Sequence, residues 1–296
     1  MAGLIDSQHY FGPGTSSGMN RCVVLTGCSS GIGAATATAF LEEEWTVYAT
    51  ARSEEDLADL ADAGCRTARL DVTEPETIQS VVDAALTDPG RIDCLVNNAG
   101  YVQPGPIEDV PTEELDAQFD VNVLGPHRLT RAVLPHMRER GDGTVVNVSS
   151  VLGRVAVPGS GVYCASKFAI EAMSDALRAE VGRLGIDVVL IEPGMVETAF
   201  RDRGGREARN CDRTEDYAAL YQLIDDWEAA DGFGPTAMEA RTVADAIVNA
   251  ASATDPDPRY VVGSVGGAIA LSRYLPDRVR DRIFETGIRV LSGRFP

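Results

Sequence analysis

Tyr163 and Lys167 stand four residues apart at the end of the stretch Ser150–Lys167, S-V-L-G-R-V-A-V-P-G-S-G-V-Y-C-A-S-K. From Gly161 onward the pattern reads as the start of a long amphipathic helix, and residues i and i+4 share a helical face, so Lys167 falls one turn from Tyr163. A free phenol has a pKa of about 10, too high for proton transfer near neutrality. An ammonium held nearby stabilises the phenolate and pulls that value down, which makes a tyrosine a usable acid/base. Lys167 is the only lysine among 26 Lys and Arg; the other 25 are arginine. A composition with no other lysine keeps one at this spacing. A surface helix with an incidental Tyr and Lys is the competing reading, and the elements around the pair decide between them.

Those elements alternate. Arg21–Thr26 (R-C-V-V-L-T) is a short apolar run ending in the turn T-G-C-S-S-G-I-G, and a helix follows through Ala39, Phe40 and Leu41. Strands are expected at Thr46–Ala51, Arg66–Leu70, Ile92–Val96, Thr144–Val148 and Asp187–Ile191. Helices are expected at Glu54–Ala63, Glu74–Leu86, near Thr112–Arg138 and at Gly161–Arg183. Regular β-α alternation with buried, valine-rich strands implies an α/β fold, a Rossmann-type doubly wound parallel sheet with helices on both faces. No composition break divides it, so residues 21–265 form one domain, preceded by a loose Gly/Ser-rich arm at 1–20. The rhythm fails after Glu192 and resumes with a helix at Arg241–Ala251 and a strand at Tyr260–Val262. A C-terminal helical extension, 266–296, closes the chain; its Arg273, Asp277 and Arg278 forbid a membrane span, and core packing or an oligomer contact is its expected role.

At 296 residues with 44% hydrophobic content, the chain can bury a large core. Its formal net charge of −19 excludes the basic face that a nucleic-acid partner requires. An acidic excess with a single lysine reads as a surface adapted to high salt. The six cysteines, Cys22, Cys28, Cys65, Cys94, Cys164 and Cys211, include no C-x-x-C pair, and several sit in apolar runs. No metal site and no disulfide framework are expected, which suits a reducing cytoplasm. The first twenty residues have neither the basic nor the apolar region of a signal peptide, and no apolar run of about 18 residues exists to span a membrane.

Gly27, Gly31 and Gly33 lie between the first strand and the first helix, where a doubly wound fold receives a pyrophosphate. Glycine permits the tight turn and the close approach of backbone, and the helix N-terminus offers free N–H groups to an anion. At the end of the second strand an acid would accept from an adenosine ribose 2′-hydroxyl; here Ala51 stands in that place and Arg52 follows. A forked guanidinium suits a 2′-phosphate, so NADP(H) is favoured over NAD(H).

Taken together these residues resemble the short-chain dehydrogenase/reductase family over roughly residues 20–265. T-G-C-S-S-G-I-G (26–33), with Ser29, Ser30 and Ile32 among its glycines, is similar to the family's nucleotide turn. L-D-V (70–72) matches its adenine-contacting strand end at Asp71 and Val72, and N-N-A-G (97–100) the motif that lines the cofactor channel through Asn98, Ala99 and Gly100. Asn122 in F-D-V-N-V, Ser150 in S-S-V-L-G, and Tyr163 with Lys167 match its catalytic tetrad. P-G-M-V-E-T (193–198), with Pro193, Gly194, Val196 and Thr198, matches the segment that closes over the nicotinamide. The overall layout looks most like the retinol/17β-hydroxysteroid-dehydrogenase-like branch. Ser150 rather than Ser149 is expected in the site, because strand alternation turns only one of two neighbours inward. No basic residue sits inside the first glycine turn, so phosphate recognition rests on Arg52.

The resemblance implies hydride transfer between NADP(H) and a secondary alcohol, ketone or aldehyde. Tyr163 would exchange the proton, Ser150 would hold the substrate oxygen, and Lys167 would lower the Tyr163 pKa and hold the nicotinamide ribose. Asn122 would hold a relay water, and the small-molecule carbonyl would be the only partner apart from further copies in a homodimer or homotetramer. Segment 196–240 is the natural substrate lid. Within it Tyr217, Leu220, Tyr221, Ile224 and Trp227 recur at helical spacing, an apolar face that either packs on the domain or walls a hydrophobic substrate. A non-catalytic dinucleotide-binding regulator of the same fold is the alternative; loss of Tyr or Lys would be its signature, and both are present.

Overall fold

Alternate residues of each inner strand belong to opposite cores. Val23 and Leu25 of β1 (Cys22–Thr26) enter one buried cluster while Cys22 and Val24 enter the other, and Tyr48 is set against Val47 and Ala49 in β2 (Thr46–Ala51) in the same way. That period of two is what a strand buried on both faces must show. The other strands are β3 (Arg66–Arg69), β4 (Cys94–Asn97), β5 (Gly143–Val148), β6 (Ile186–Pro193) and β7 (Arg259–Val262). All pairings are parallel, in the order β3-β2-β1-β4-β5-β6-β7. The chain winds outward in one direction from β1 and in the other from β4. The crevice at their C-terminal ends is therefore the switch point where such sheets bind ligands. This computed structural model describes residues 21–196, 213–229, 237–263 and 272–292.

Helices α1 (Gly31–Glu42) and α2 (Ala58–Asp62) lie on one side of the sheet, and α3 (Pro75–Thr87) on the other. The long helix expected at 112–138 is instead three pieces: α4 (Thr112–Phe119), a π turn at Asp120–Leu124, and α5 (Gly125–Arg140). π turns of this kind concentrate at functional sites, and Asn122 is at its centre. α6 (Gly161–Val181) follows β5, α7 (Ala218–Ala229) lies within segment 196–240, and α8 (Ala240–Ser252) packs on α1. β4 begins two residues later than expected, just after Asp93. Its carboxylate accepts from the Cys22 N–H at 2.8 Å and from Arg91 and Arg140. Pro276 starts the last helix, α9 (Asp277–Leu291), which is shorter than the tail pattern suggests. No described helix is long and apolar enough to cross a membrane.

Candidate active site

The turn after β1 is built so that nothing fills it. Gly27 has φ +75°, and a Cβ on Gly33 would lie 2.1 Å from the Gly27 carbonyl oxygen, so any side chain there would push the turn apart. Ser30 precedes α1 without a side-chain capping bond, and the first turn holds no acid. The leading N–H groups are thus free for an anion. Asn98 fixes the turn from the neighbouring strand: its Nδ2 donates to the Thr26 and Gly27 carbonyls at 2.9 and 3.2 Å. The Thr26 hydroxyl accepts from the N–H groups of Asn98 and Ala99. A glycine cradle with free helix N–H groups fits a dinucleotide pyrophosphate.

A cavity of about 1640 Å³ runs from this cradle. Gly27, Ser29, Ser30, Gly31, Ile32 and Gly33 border one end, together with Arg52, Asp71 and Val72. Asn98, Ala99, Gly100, Pro193, Gly194 and Val196 border its middle; Thr198 lies outside the described residues. Ala51 is buried and Arg52 exposed, and Arg52 makes no ion pair within 4 Å among the described residues. Burial works against the Asp71 carboxylate, but the Thr73 N–H and hydroxyl, at 2.9 and 2.7 Å, hold it below the usual aspartate range, with Arg52 and Arg69 helping.

Ser150, Tyr163 and Lys167 border the same cavity. Ser149 and Ser150 lie just past the end of β5 and both border the cavity, but Ser149 Oγ is buried beside Glu171 whereas Ser150 Oγ meets the Tyr163 hydroxyl. They are engaged differently. Ser150 Oγ accepts from the Leu152 N–H at 3.1 Å and is hydrogen-bonded to the Tyr163 hydroxyl. Ser149 touches Glu171. Lys167 Nζ donates to the Val148 carbonyl at 2.8 Å and sits 5.7 Å from the centre of the Tyr163 ring. Burial pushes the Tyr163 phenol up and the Ser150 bond only partly offsets it. Burial also lowers the Lys167 ammonium to about 8, with Glu171 opposing. Burial, and not Lys167, sets the direction of the Tyr163 shift.

Asn122 does not border the cavity. It is buried one layer behind, where Oδ1 accepts from the Tyr101 N–H at 3.0 Å and Nδ2 donates to the Tyr101 carbonyl at 2.9 Å and Ser166 Oγ at 3.1 Å. These bonds hold the π turn against the loop after β4. A Cβ on Gly100 would lie 3.0 Å from Asn122 Oδ1 and 3.9 Å from Lys167 Nζ, so both converge on that glycine.

One group around the site was not foreseen, and a second was foreseen only in part. Behind Ser149 lies a buried charge network: Arg154 Nη1 to Glu192 Oε1 at 2.9 Å, Arg259 Nε to Glu171 and to Glu192 at 3.1 Å, and Arg259 Nη2 to Asp175 at 2.6 Å. Glu192 is 0% exposed. Spacing alone could have found Glu171, one turn beyond Lys167; nothing local points to Arg154 or Arg259. The second group comes from α7 and α9, whose apolar residues close the far end of the cavity. α7 is fastened by Tyr217 Oη donating to Glu108 at 2.7 Å and Tyr221 Oη to Asp109 at 2.8 Å. The apolar face over 217–224 thus both packs and walls, whereas the side chain of Trp227 lies outside the described residues. α9 contributes Ile283, Phe284, Gly287 and Ile288 to the cavity wall.

Known proteins are similar to this chain along nearly its whole length. The oxidoreductase YbbO of Escherichia coli (strain K12) is 36% identical over 278 residues, 92% of this chain and 96% of that one. The NADPH-dependent 3-dehydrocapnine reductase of Ornithobacterium rhinotracheale is 33% identical over 282 residues, 92% of this chain and 99% of that one. The crystal structure of a short-chain dehydrogenase from Streptomyces avermitilis superposes with a TM-score of 0.75 at 34% identity, over 95% of this chain and 100% of that one. The family model for short chain dehydrogenases matches residues 21–208, from β1 to beyond β6. The chain is an oxidoreductase that belongs to the short-chain dehydrogenase/reductase family.

Proposed function

We propose that the protein interconverts a hydrophobic ketone or aldehyde and the matching alcohol, with NADP(H) as hydride partner and Tyr163 as acid/base. The observation that carries this reading is the single cavity bordered by the glycine cradle at one end and by Ser150, Tyr163 and Lys167 further along. A bound nicotinamide supplies or accepts the hydride. In reduction Tyr163 gives its proton to the substrate oxygen; burial keeps the phenol protonated near neutrality, the form this step needs. Ser150 donates a hydrogen bond to the same oxygen and stabilises the charge that develops there. Lys167 has two tasks. One N–H is committed to Val148, the others are available to the nicotinamide ribose hydroxyls, and its charge favours the phenolate when the reaction runs as oxidation. Asn122 holds the loop after β4 and, by the family resemblance, a relay water; Pro193, Gly194, Val196 and Thr198 would meet the carboxamide.

Preference for NADP(H) is supported by the Ala51–Arg52 pair at the end of β2 and by a relative named as NADPH-dependent. A charge-assisted hydrogen bond contributes about 1.5–3 kcal/mol. Arg52→Ala should therefore lower kcat/KM for NADPH by about ten- to a hundredfold and leave NADH nearly unchanged. A panel of aliphatic, aromatic and steroid carbonyls, assayed with both cofactors at low and at multi-molar salt, tests the whole reading. Turnover with NADH in preference to NADPH removes the Arg52 argument, and no oxidation of either cofactor with any carbonyl removes the enzyme assignment.

A further inference from the structure

β5 and β6 run side by side until each enters the site. Their last main-chain rung is the Ser149 N–H donating to the Ile191 carbonyl at 2.8 Å. In a parallel ladder the next rung would run from the N–H of residue 193 to the Ser149 carbonyl, and Pro193 has no N–H to give. From there the two chains part. The chain after β6 stays with β7, the Gly194 N–H donating to the Val262 carbonyl at 2.9 Å, while the chain after β5 closes into a single tight turn.

That turn is one stiff unit. It begins at Ser150, whose carbonyl accepts from the Gly153 N–H at 2.8 Å and whose Oγ accepts from the Leu152 N–H at 3.1 Å. It ends at Arg154, whose N–H donates to the Val151 carbonyl at 3.1 Å. Its inner side is filled, since a Cβ on Gly153 would lie 2.7 Å from Ser149 Oγ and 3.0 Å from Glu171 Cγ. A displacement of Arg154 is therefore passed to Ser150.

Arg154 is tied to β6. Its Nη1 donates to Glu192 Oε1 at 2.9 Å, and Glu192 immediately precedes Pro193. A side-chain bridge thus stands where the backbone ladder loses its rung. Glu192 is fully buried, and Arg259 of β7 meets the same oxygen at 3.1 Å. A buried ion pair is weak evidence for stability, because well-packed apolar groups of similar volume often do as well. What a charge-assisted bond adds is direction and a fixed length.

We propose that Arg154 and Glu192 are positioning residues for hydride transfer: their bridge sets the turn that carries Ser150, and with it the substrate oxygen, against the cofactor-facing segment Pro193–Gly194. Neither Arg154 nor Glu192 borders the cavity, whereas Ser150, Pro193 and Gly194 do, so the pair acts through those neighbours. This rests on the reading under Proposed function and adds two residues to it. The hydride and the proton move as described there, and no bond to either residue is made or broken.

The test compares Arg154→Met, Arg154→Lys and Glu192→Gln with the parent in single-turnover oxidation of NADPH by the carbonyl that the parent reduces fastest. Stopped-flow absorbance with enzyme in excess reads the hydride step itself, and a loss of stability alone does not move that rate in folded, NADPH-loaded enzyme. Arg154→Met leaves Glu192 its bond from Arg259, and circular dichroism with NADPH fluorescence checks that it is folded and loaded. Its hydride rate should fall about ten- to a hundredfold, the scale of a misplacement of about 1 Å, with little change in KM for NADPH. Glu192→Gln should slow the same step, and Arg154→Lys, which keeps a cation for a single-point bond, should recover part of the rate. An unchanged hydride rate in both Arg154→Met and Glu192→Gln overturns this proposal alone. Equal losses in Arg154→Met and Arg154→Lys overturn it too, because the shape at position 154 and not its charge then matters. A parent that binds NADPH but reduces no carbonyl overturns both this proposal and the reading beneath it.

Discussion

Tyr163→Phe is expected to lower kcat by about a hundred- to ten-thousandfold, the range that a positioned general acid contributes. The substitution is narrow because the ring is buried and stays so, while the hydroxyl is the only atom removed. Ser150 keeps its bond from the Leu152 N–H, and Lys167 keeps its bond to Val148 and its place 5.7 Å from the ring centre. NADPH binding, followed by cofactor fluorescence, and the melting temperature should therefore stay close to the parent values. Retained turnover would falsify the acid/base role. A loss of cofactor binding would show instead that the hydroxyl holds the nicotinamide half of the site in shape.

The largest stability effect should come from outside the reacting atoms. Arg259→Met is expected to cost about 3–5 kcal/mol, the scale for breaking a buried ion pair from one side. It would lower the melting temperature on the order of ten degrees. Arg259 joins Glu171, Glu192 and Asp175, and the first two are almost wholly buried; without the guanidinium they face each other. Burial already holds Glu171 above the usual glutamate range, with Glu192 adding to the rise and Ser149 and Arg259 opposing it. A carboxyl raised in the folded state contributes stability that is present below its unfolded value and lost as pH rises through the folded one. Removing Arg259 raises that folded value further, so the variant's deficit should be full at neutral pH and shrink toward acid. Urea unfolding at several pH values measures this. Adding Glu192→Gln should recover part of the loss, and two strictly additive effects would mean that the pair is not coupled.

The sheet and the cradle were legible in the chain because their signals are local. Short apolar runs rich in valine, recurring between helical stretches, and a glycine turn after the first leave few alternatives to a doubly wound sheet. Tyr163 and Lys167 were legible for the same reason, since four residues separate them. What sequence could not carry depends on distant partners. Gly125-Pro126 marks a break between Thr112 and Arg138, but nothing local announces the π turn just before it, where Asn122 bonds back to Tyr101. Arg259 is 88 residues from Glu171. The apolar pattern of the tail is plain, but only the fold brings Ile283 and Phe284 to the cavity that Tyr163 borders. The direction of the Tyr163 shift also escaped, because a lysine four residues away says nothing of how deeply both are buried.

Lys167 carries the only ε-amino group in the chain, and it is 6% exposed. An acylating reagent applied to the folded enzyme thus has the α-amino terminus and one other target. That target lies inside the working cavity, with its proton lost near pH 8 and its reactivity rising through that point. Amine labelling becomes an active-site titration: one modification beyond the terminus per competent molecule, paired with loss of turnover and blocked by NADPH. For the same reason, lysine-directed crosslinking, biotinylation or coupling to a resin finds no handle on the outer surface, and arginine or carboxylate chemistry is required instead.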